Sequence, residues 1–233
     1  MTAQPQHVGI VACSAEGAAL CYRTICLEGT QLLGRHRHPP VSMHTNPLAE
    51  YMKFVDANDW AGVAELMMDS AERLARAGAE FLICPDNTIH QAFDLVEHRS
   101  PRPWLHIARE VACEAKRNCF RRLAILGTRS LMEGPVYPQE LLSAGIEHRF
   151  PNPAQREKIN QIIFDELVNA QFLPESQAYF TEVIRSLKNE GCDAVVLGCT
   201  EIPLIVTVDS SPLPILDSTR LLARAALRKA VNG

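Results

Sequence analysis

The sequence predicts an α/β protein made of two similar halves, each a parallel sheet covered by helices. Three observations carry this expectation. Ala194-Val195-Val196-Leu197 is a short Val-rich run, entered from Gly191-Cys192-Asp193 and left through Gly198, as expected of a strand buried on both faces of a parallel sheet. Phe81-Leu82-Ile83 is a second such run, and it too leads into a cysteine and small polar residues, Cys84-Pro85-Asp86-Asn87-Thr88. Each run has the same lead-in: an amphipathic helical pattern and then a glycine turn, over residues 63–80 in one case and 176–193 in the other.

In chain order, residues 8–12 read as a buried strand ending in Cys13-Ser14-Ala15-Glu16-Gly17, followed by a helix over about residues 18–28. The basic segment 34–40 is irregular. Its His36 and His38 have no Cys or carboxylate at ligand spacing, so they read as loop residues and no metal is expected. Residues 39–44 read as an edge strand, 89–97 as a helix, and Pro101-Arg102-Pro103 as a break before new structure at Trp104. A helix over 108–117 leads to the strand Leu123-Ala124-Ile125-Leu126 and its small ending Gly127-Thr128, and residues 145–150 form a further strand. A helix over 155–167 follows, with Ile159, Ile162 and Ile163 on one face and Arg156 and Lys158 near its start. A strand over 213–217 and a helix over 219–231 close the chain, the helix returning to the first half. The domain limits drawn from this are 1–103 with 213–233, and 104–212. Cys13 to Thr128 and Cys84 to Cys199 are both 115 residues apart, so one offset superposes two strand ends and brings both sets of strand ends to one central cleft.

Length and composition agree with two domains. A chain of 233 residues with 47% hydrophobic content can bury two cores of about 110 residues each. A net charge of -4 and a pI near 6.1 provide no basic footprint for nucleic acid or an anionic membrane surface. No apolar run reaches the roughly 18 residues of a membrane span. The opening Met1-Thr2-Ala3-Gln4-Pro5-Gln6-His7 lacks the basic and apolar regions of a signal peptide, so a cytoplasmic protein with eight reduced cysteines is expected. Neither a dinucleotide-binding glycine fingerprint nor a phosphate-binding loop is present, and no cofactor is expected.

The chemistry concentrates at the strand ends. In open α/β sheets ligands bind at the carboxyl edge, where Cys199 and Thr200 follow the second Val-rich strand. Cys21, Cys26, Cys113 and Cys119 fall in helical patterns and Cys192 at a turn, as structural thiols do, while Cys13 lines the site. Cys84-Pro85-Asp86-Asn87-Thr88, Leu126-Gly127-Thr128, Glu157-Lys158-Ile159-Asn160-Gln161-Ile162-Ile163-Phe164 and Gly198-Cys199-Thr200-Glu201 together resemble the aspartate/glutamate racemase superfamily over nearly the whole chain. The resemblance is closest to the cofactor-independent bacterial amino-acid racemases. It implies two domains related by a pseudo-dyad, a cleft with one catalytic Cys from each domain (Cys84 and Cys199), an acidic amino acid as substrate, and a homodimer. It further implies that Asn87, Thr88, Thr128 and Thr200 hold the α-carboxylate and ammonium region, and that Lys158 holds the second carboxylate.

Such a reaction needs two acid/base groups, because a Cα proton leaves one face and another returns to the opposite face. A free thiol titrates near 8.5, so the deprotonating member needs a lowered pKa, which a strand end before a helix N-terminus can supply. Family members read Cys-Asn-Thr or Cys-x-Asn-Thr, whereas two residues separate Cys84 from Asn87. A register fixed by Gly78 places the family's Cys position on Pro85 and makes Asp86 the nearest ionisable group. Since a one-residue slip turns a side chain to the other face, Cys84 and Asp86 both stand as the opposing base, with Cys84 favoured by the shared offset. A single-Cys decarboxylase or isomerase of the same superfamily, or a binding protein on this fold that has lost the chemistry, are the other readings.

Overall fold

The computed structural model describes residues 4–233 and contains two four-stranded, all-parallel sheets. Residues 1–3, which belong to the opening stretch read above for a leader, lie outside the described residues. The first sheet is built from β1 (Val8–Ala12), α1 (Ala15–Leu33), β2 (Val41–Thr45), α2 (Leu48–Asp56), α3 (Trp60–Arg76), β3 (Phe81–Ile83), a 3₁₀ turn at Thr88–Ala92, α4 (Phe93–Glu97) and β4 (Trp104–Leu105). Its strand order is β2-β1-β3-β4. The second follows from α5 (Ile107–Arg117): β5 (Arg122–Leu126), α6 (Arg129–Glu133), α7 (Val136–Ala144), β6 (Glu147–Arg149), α8 (Pro153–Gln161), α9 (Pro174–Asn189), β7 (Ala194–Leu197) and β8 (Ile215–Asp217), in the order β6-β5-β7-β8. α10 (Ser218–Asn232) ends the chain. The two orders are the same topology written twice, as the duplicated lead-ins predict.

The repeat extends to its joints. α3 gives way to β3 through Gly78 (φ 97°) and α9 to β7 through Gly191 (φ 90°), left-handed turns that a side chain would strain. Just before β3 the Glu80 carboxylate accepts the His7 amide at 2.7 Å. Just before β7 the Asp193 carboxylate accepts the Arg121 and Arg122 amides at 2.7 and 3.1 Å. Each carboxylate satisfies backbone donors at the start of the neighbouring strand and thereby holds the central pair in register.

The chain divides into one unit that runs to Ile107 and takes back Thr219–Gly233, and a second unit, Ala108–Ser218. Strand pairing therefore moves both limits drawn from the sequence. Leu82 and Ile83 pair with Trp104 and Leu105, which places β4 in the first unit; Val195 to Leu197 pair with Ile215 to Asp217, which places β8 in the second. α10 packs Leu222, Ala223, Ala226 and Ala230 against Val8, Ile10, Phe81 and Ile83, so the last helix does return to the first sheet. The opposite face of that sheet is covered by α3, whose buried Val63, Ala64, Met67, Ala71 and Leu74 recur at helical spacing. In the second unit Phe180, Val183, Ile184 and Leu187 of α9 pack with Ala124, Leu126, Val195 and Leu197.

Candidate active site

The carboxyl ends of the central strands carry the polar residues of interest. β1 and β5 end alike: Ser14 and Thr128 are each the N-cap of the helix that follows, accepting the Gly17 and Leu131 amides at 3.2 Å. The equivalence is thus Ser14 with Thr128, one residue away from the Cys13–Thr128 match that the offset suggests. β7 ends through Gly198 into Cys199. A Cβ on Gly198 would lie 2.6 Å from Leu131 Cδ2 and 2.9 Å from the Leu126 carbonyl oxygen. A Cβ on Gly127 would lie 3.1 Å from the Gly198 carbonyl oxygen. Both glycines are therefore required by close approach of the two strand ends, and together they fix where Thr128 and Cys199 begin.

Cys199 is 8% exposed, and its Sγ–H donates to Glu201 Oε2 at 2.9 Å. The same oxygen accepts the Thr200 hydroxyl at 2.7 Å. Thr200 and Glu201 are both buried. The sequence expectation of a helix dipole behind Cys199 is not met: the next element is a three-residue 3₁₀ turn, Ile202–Leu204, with Pro203 inside it. The thiol's hydrogen-bond partner, Glu201, is instead a carboxylate. Glu201 is a functional candidate that the reading of the strand end passed over, although it is the fourth residue of the Gly-Cys-Thr-Glu stretch.

At the end of β3 the outcome differs. Cys84 is 0% exposed and packs among Val11, Cys13, Tyr51, Leu82 and Ile89. Burial, and then the charge of Asp86, push its thiol well above the ordinary range. Cys84 directly follows the last strand residue, Ile83, whereas Cys199 stands one residue further from Leu197. Counted from the strand end, the counterpart of Cys199 is Pro85. The shared offset thus matched two buried cysteines, each in a core cluster, that stand at different distances from their strand ends.

Asp86 is half-buried, and its Oδ1 accepts the Ile89 amide at 3.1 Å. Its carbonyl oxygen accepts the His90 Nδ1–H at 2.6 Å, and His90 Nε2 accepts the Ile107 amide at 3.3 Å, which fixes the neutral tautomer of this buried ring. His90 is stacked on Phe93 with 5.5 Å between centroids and 9° between planes. The turn that presents Asp86 is therefore held by side chain and backbone together. Asn87 is buried in the same turn, and Thr88, half-buried, opens its 3₁₀ segment.

Lys158 lies elsewhere than expected along its helix. α8 starts at Pro153 under a capping box in which Asn152 Oδ1 accepts the Gln155 amide and Gln155 Oε1 accepts the Asn152 amide, both at 3.0 Å. Lys158 consequently falls in the last turn, where the helix dipole favours a cation, and it is exposed. Arg156 is engaged locally, donating to the Pro151 carbonyl at 2.8 Å and lying over Phe150. The expected single helix then widens into a π-helical turn, Ile162–Glu166, and a 3₁₀ turn, Leu167–Asn169.

All eight cysteines are free thiols, and among the described residues no group of three His, Cys, Asp or Glu side chains is arranged to hold a metal ion. No helix among them is long and apolar enough to cross a membrane.

Twin parallel sheets of the same strand order, each with polar side chains just past its central strands, define a duplicated α/β protein. The family model for Asp/Glu/Hydantoin racemase matches residues 10–226, and the chain belongs to that family. It is similar to the broad-specificity amino-acid racemase RacX of Bacillus subtilis, 22% identical over 161 residues that cover 69% of each chain. A candidate Asp/Glu racemase from Yersinia pestis matches it in structure with a TM-score of 0.90 at 30% identity, over 97% of this chain and 100% of that one. An aspartate racemase homologue from Pyrococcus horikoshii matches with a TM-score of 0.84 at 26% identity, over 97% and 99%.

Proposed function

We propose that this protein racemises an acidic amino acid, aspartate or glutamate, without a cofactor, by proton transfer between Cys199 on one face of Cα and Asp86 on the other. The observation that carries the assignment of Asp86 is the complete burial of Cys84 in an apolar cluster. A base must reach the proton that it abstracts, and a thiol whose ionisation is suppressed by burial meets neither that condition nor the requirement for a pKa near working pH. Asp86, two residues on, is half-exposed and held in a fixed turn, and a carboxylate is ionised at neutral pH by default. The family relation supports the reaction class, and the family's description and the names of the two structural relatives support an acidic substrate.

In this reading Asp86 takes the Cα proton of one enantiomer and Cys199 protonates the carbanion from the other side, the roles reversing for the mirror substrate. Asn87, Thr88, Thr128 and Thr200 serve as neutral donors to the α-carboxylate, and Lys158 as the cation for the side-chain carboxylate. Neutral donors suit this task because they hold an anion without neutralising the two bases. The protein acts as a homodimer in the cytoplasm. Two-base transfer requires Asp86 and Cys199 to share one Cα, and deuterium uptake from D2O at Cα of each enantiomer tests it. Uptake that depends on Cys199 alone would turn the reading toward one-sided protonation, as in a decarboxylase.

A further inference from the structure

We propose that Glu201 is a positioning residue that stores the proton on Cys199, so that the free protein rests with Cys199 as donor and Asp86 as acceptor. This rests on the two-base reading above, but its chemistry can be measured at sulfur. A carboxylate has no proton to give, so at 2.9 Å from Glu201 Oε2 the shared proton belongs to the thiol. Oε2 also accepts the Thr200 hydroxyl at 2.7 Å, which fixes the carboxylate in place. Glu201 is buried beside the thiol. Removing the thiol proton would set two anions 2.9 Å apart in a poorly screened environment.

Other ionisable groups stand at the neighbouring strand ends. Asp217 closes β8 opposite Leu197 and carries the same sign of charge as Glu201. Tyr137 of α7 is buried near Ser218, and burial pushes its phenol up, keeping it neutral. Cys192, in the same apolar cluster, is likewise pushed up by burial to about 11.

The proton balance follows. Asp86 accepts the Cα proton, the electron pair left on carbon takes the proton from Cys199 Sγ, and the protein is left with a neutral Asp86 carboxyl and a Cys199 thiolate. Before the next turnover in the same direction, Asp86 loses its proton to water and the thiolate gains one. Glu201 drives the second step by making the thiolate costly. Substrate of the opposite hand needs the charged form, so kcat and KM taken separately differ between the two directions in their pH dependence, while kcat/KM stays equal for both, as an equilibrium constant of one requires.

The test is a pH titration of 13Cβ-labelled cysteine by NMR, with the Cys199 signal assigned by its loss in Cys199→Ser. The parent protein is expected to titrate above the roughly 8.5 of a free thiol, and Glu201→Gln to bring the midpoint down by about one pH unit or more, which is about ten-fold more thiolate at neutral pH. Glu201→Met is made alongside, so that a folded variant lacking the carboxylate is available, and its midpoint must fall too. A parent midpoint at or below that of a free thiol, or a midpoint unmoved by losing the carboxylate, overturns the proposal. Because the readout is sulfur ionisation, a correct titration in a protein that fails to racemise would count against the proposed reaction and not against the Cys199–Glu201 relation.

Discussion

Cys84 and Asp86, two residues apart after β3, stand on opposite sides of the hydrophobic boundary: the thiol is wholly enclosed, and the carboxylate is half-exposed with the Ile89 amide bound at 3.1 Å. The pair separates packing from chemistry at this strand end. Cys84→Ser should cost about 1–3 kcal/mol of stability by burying a more polar group in an apolar cluster, and leave turnover close to the parent's. Asp86→Asn should leave stability nearly unchanged and lower turnover by roughly 100-fold or more. Denaturant melts and racemisation rates of both variants check this; the reverse pattern would restore Cys84 as the base.

The burial of Cys84 also has a pH signature. Its native pKa is raised, so above the roughly 8.5 of an exposed thiol the unfolded chain releases a proton that the native protein retains. Stability contributed by the neutral thiol is complete below that pH and declines above it, by up to about 1.4 kcal/mol per pH unit for this one group. Urea midpoints at pH 8 and pH 10 should therefore converge more in Cys84→Ala than in the parent protein. Identical slopes would show that Cys84 ionises freely.

Gly198 sets the position of Cys199. Gly198→Ala places a methyl 2.6 Å from Leu131 and 2.9 Å from a backbone oxygen, and of the two only the side chain can yield. The expected result is a loss of about 1–3 kcal/mol from overpacking and a drop in turnover larger than the loss in stability explains, because the thiol moves with the strand end. A variant that is destabilised but fully active at a temperature where it is folded would show that the exit from β7 does not position the thiol.

Much of this fold was legible in the sequence. The Val-rich runs, the glycine joints at Gly78 and Gly191, and the pattern 63–77 all announce a buried parallel sheet, because burial on both faces and helix amphipathicity leave marks in residue type. α6 and α7 escaped, since each is short and Gly134-Pro135 separates them, with Pro138 inside the first turn of α7. The π turn at Ile162–Glu166 escaped because Ile159, Ile162 and Ile163 satisfy ordinary helical spacing whichever way the turn closes. The site was legible as a set of strand ends but not as a set of environments. Two cysteines that follow buried strands are the same letter, and only the exit from β3, one residue shorter than that from β7, tells Cys84 from Cys199.

Lys158 offers a test of substrate class. On a solvent-exposed helix surface an ion pair contributes about 0–1 kcal/mol, whereas a cation desolvated against a substrate carboxylate contributes about 1.5–3 kcal/mol. Lys158→Ala should weaken binding of a dicarboxylic amino acid by the larger figure and barely change that of a monocarboxylic analogue. Equal small losses for both ligands would place Lys158 outside the site.

The two-base assignment is tested most directly by proton NMR of Cα exchange in D2O, run with each enantiomer of aspartate and glutamate on the parent protein, Asp86→Asn, Cys199→Ser and Cys84→Ala. The parent and Cys84→Ala should exchange Cα of both enantiomers of one of these acids. Asp86→Asn and Cys199→Ser should each lose racemisation, and any residual exchange should be confined to one enantiomer, the opposite one in each variant. Exchange of both enantiomers at the parent rate in Asp86→Asn, or its collapse in Cys84→Ala with the fold intact, would contradict the pairing of Asp86 with Cys199.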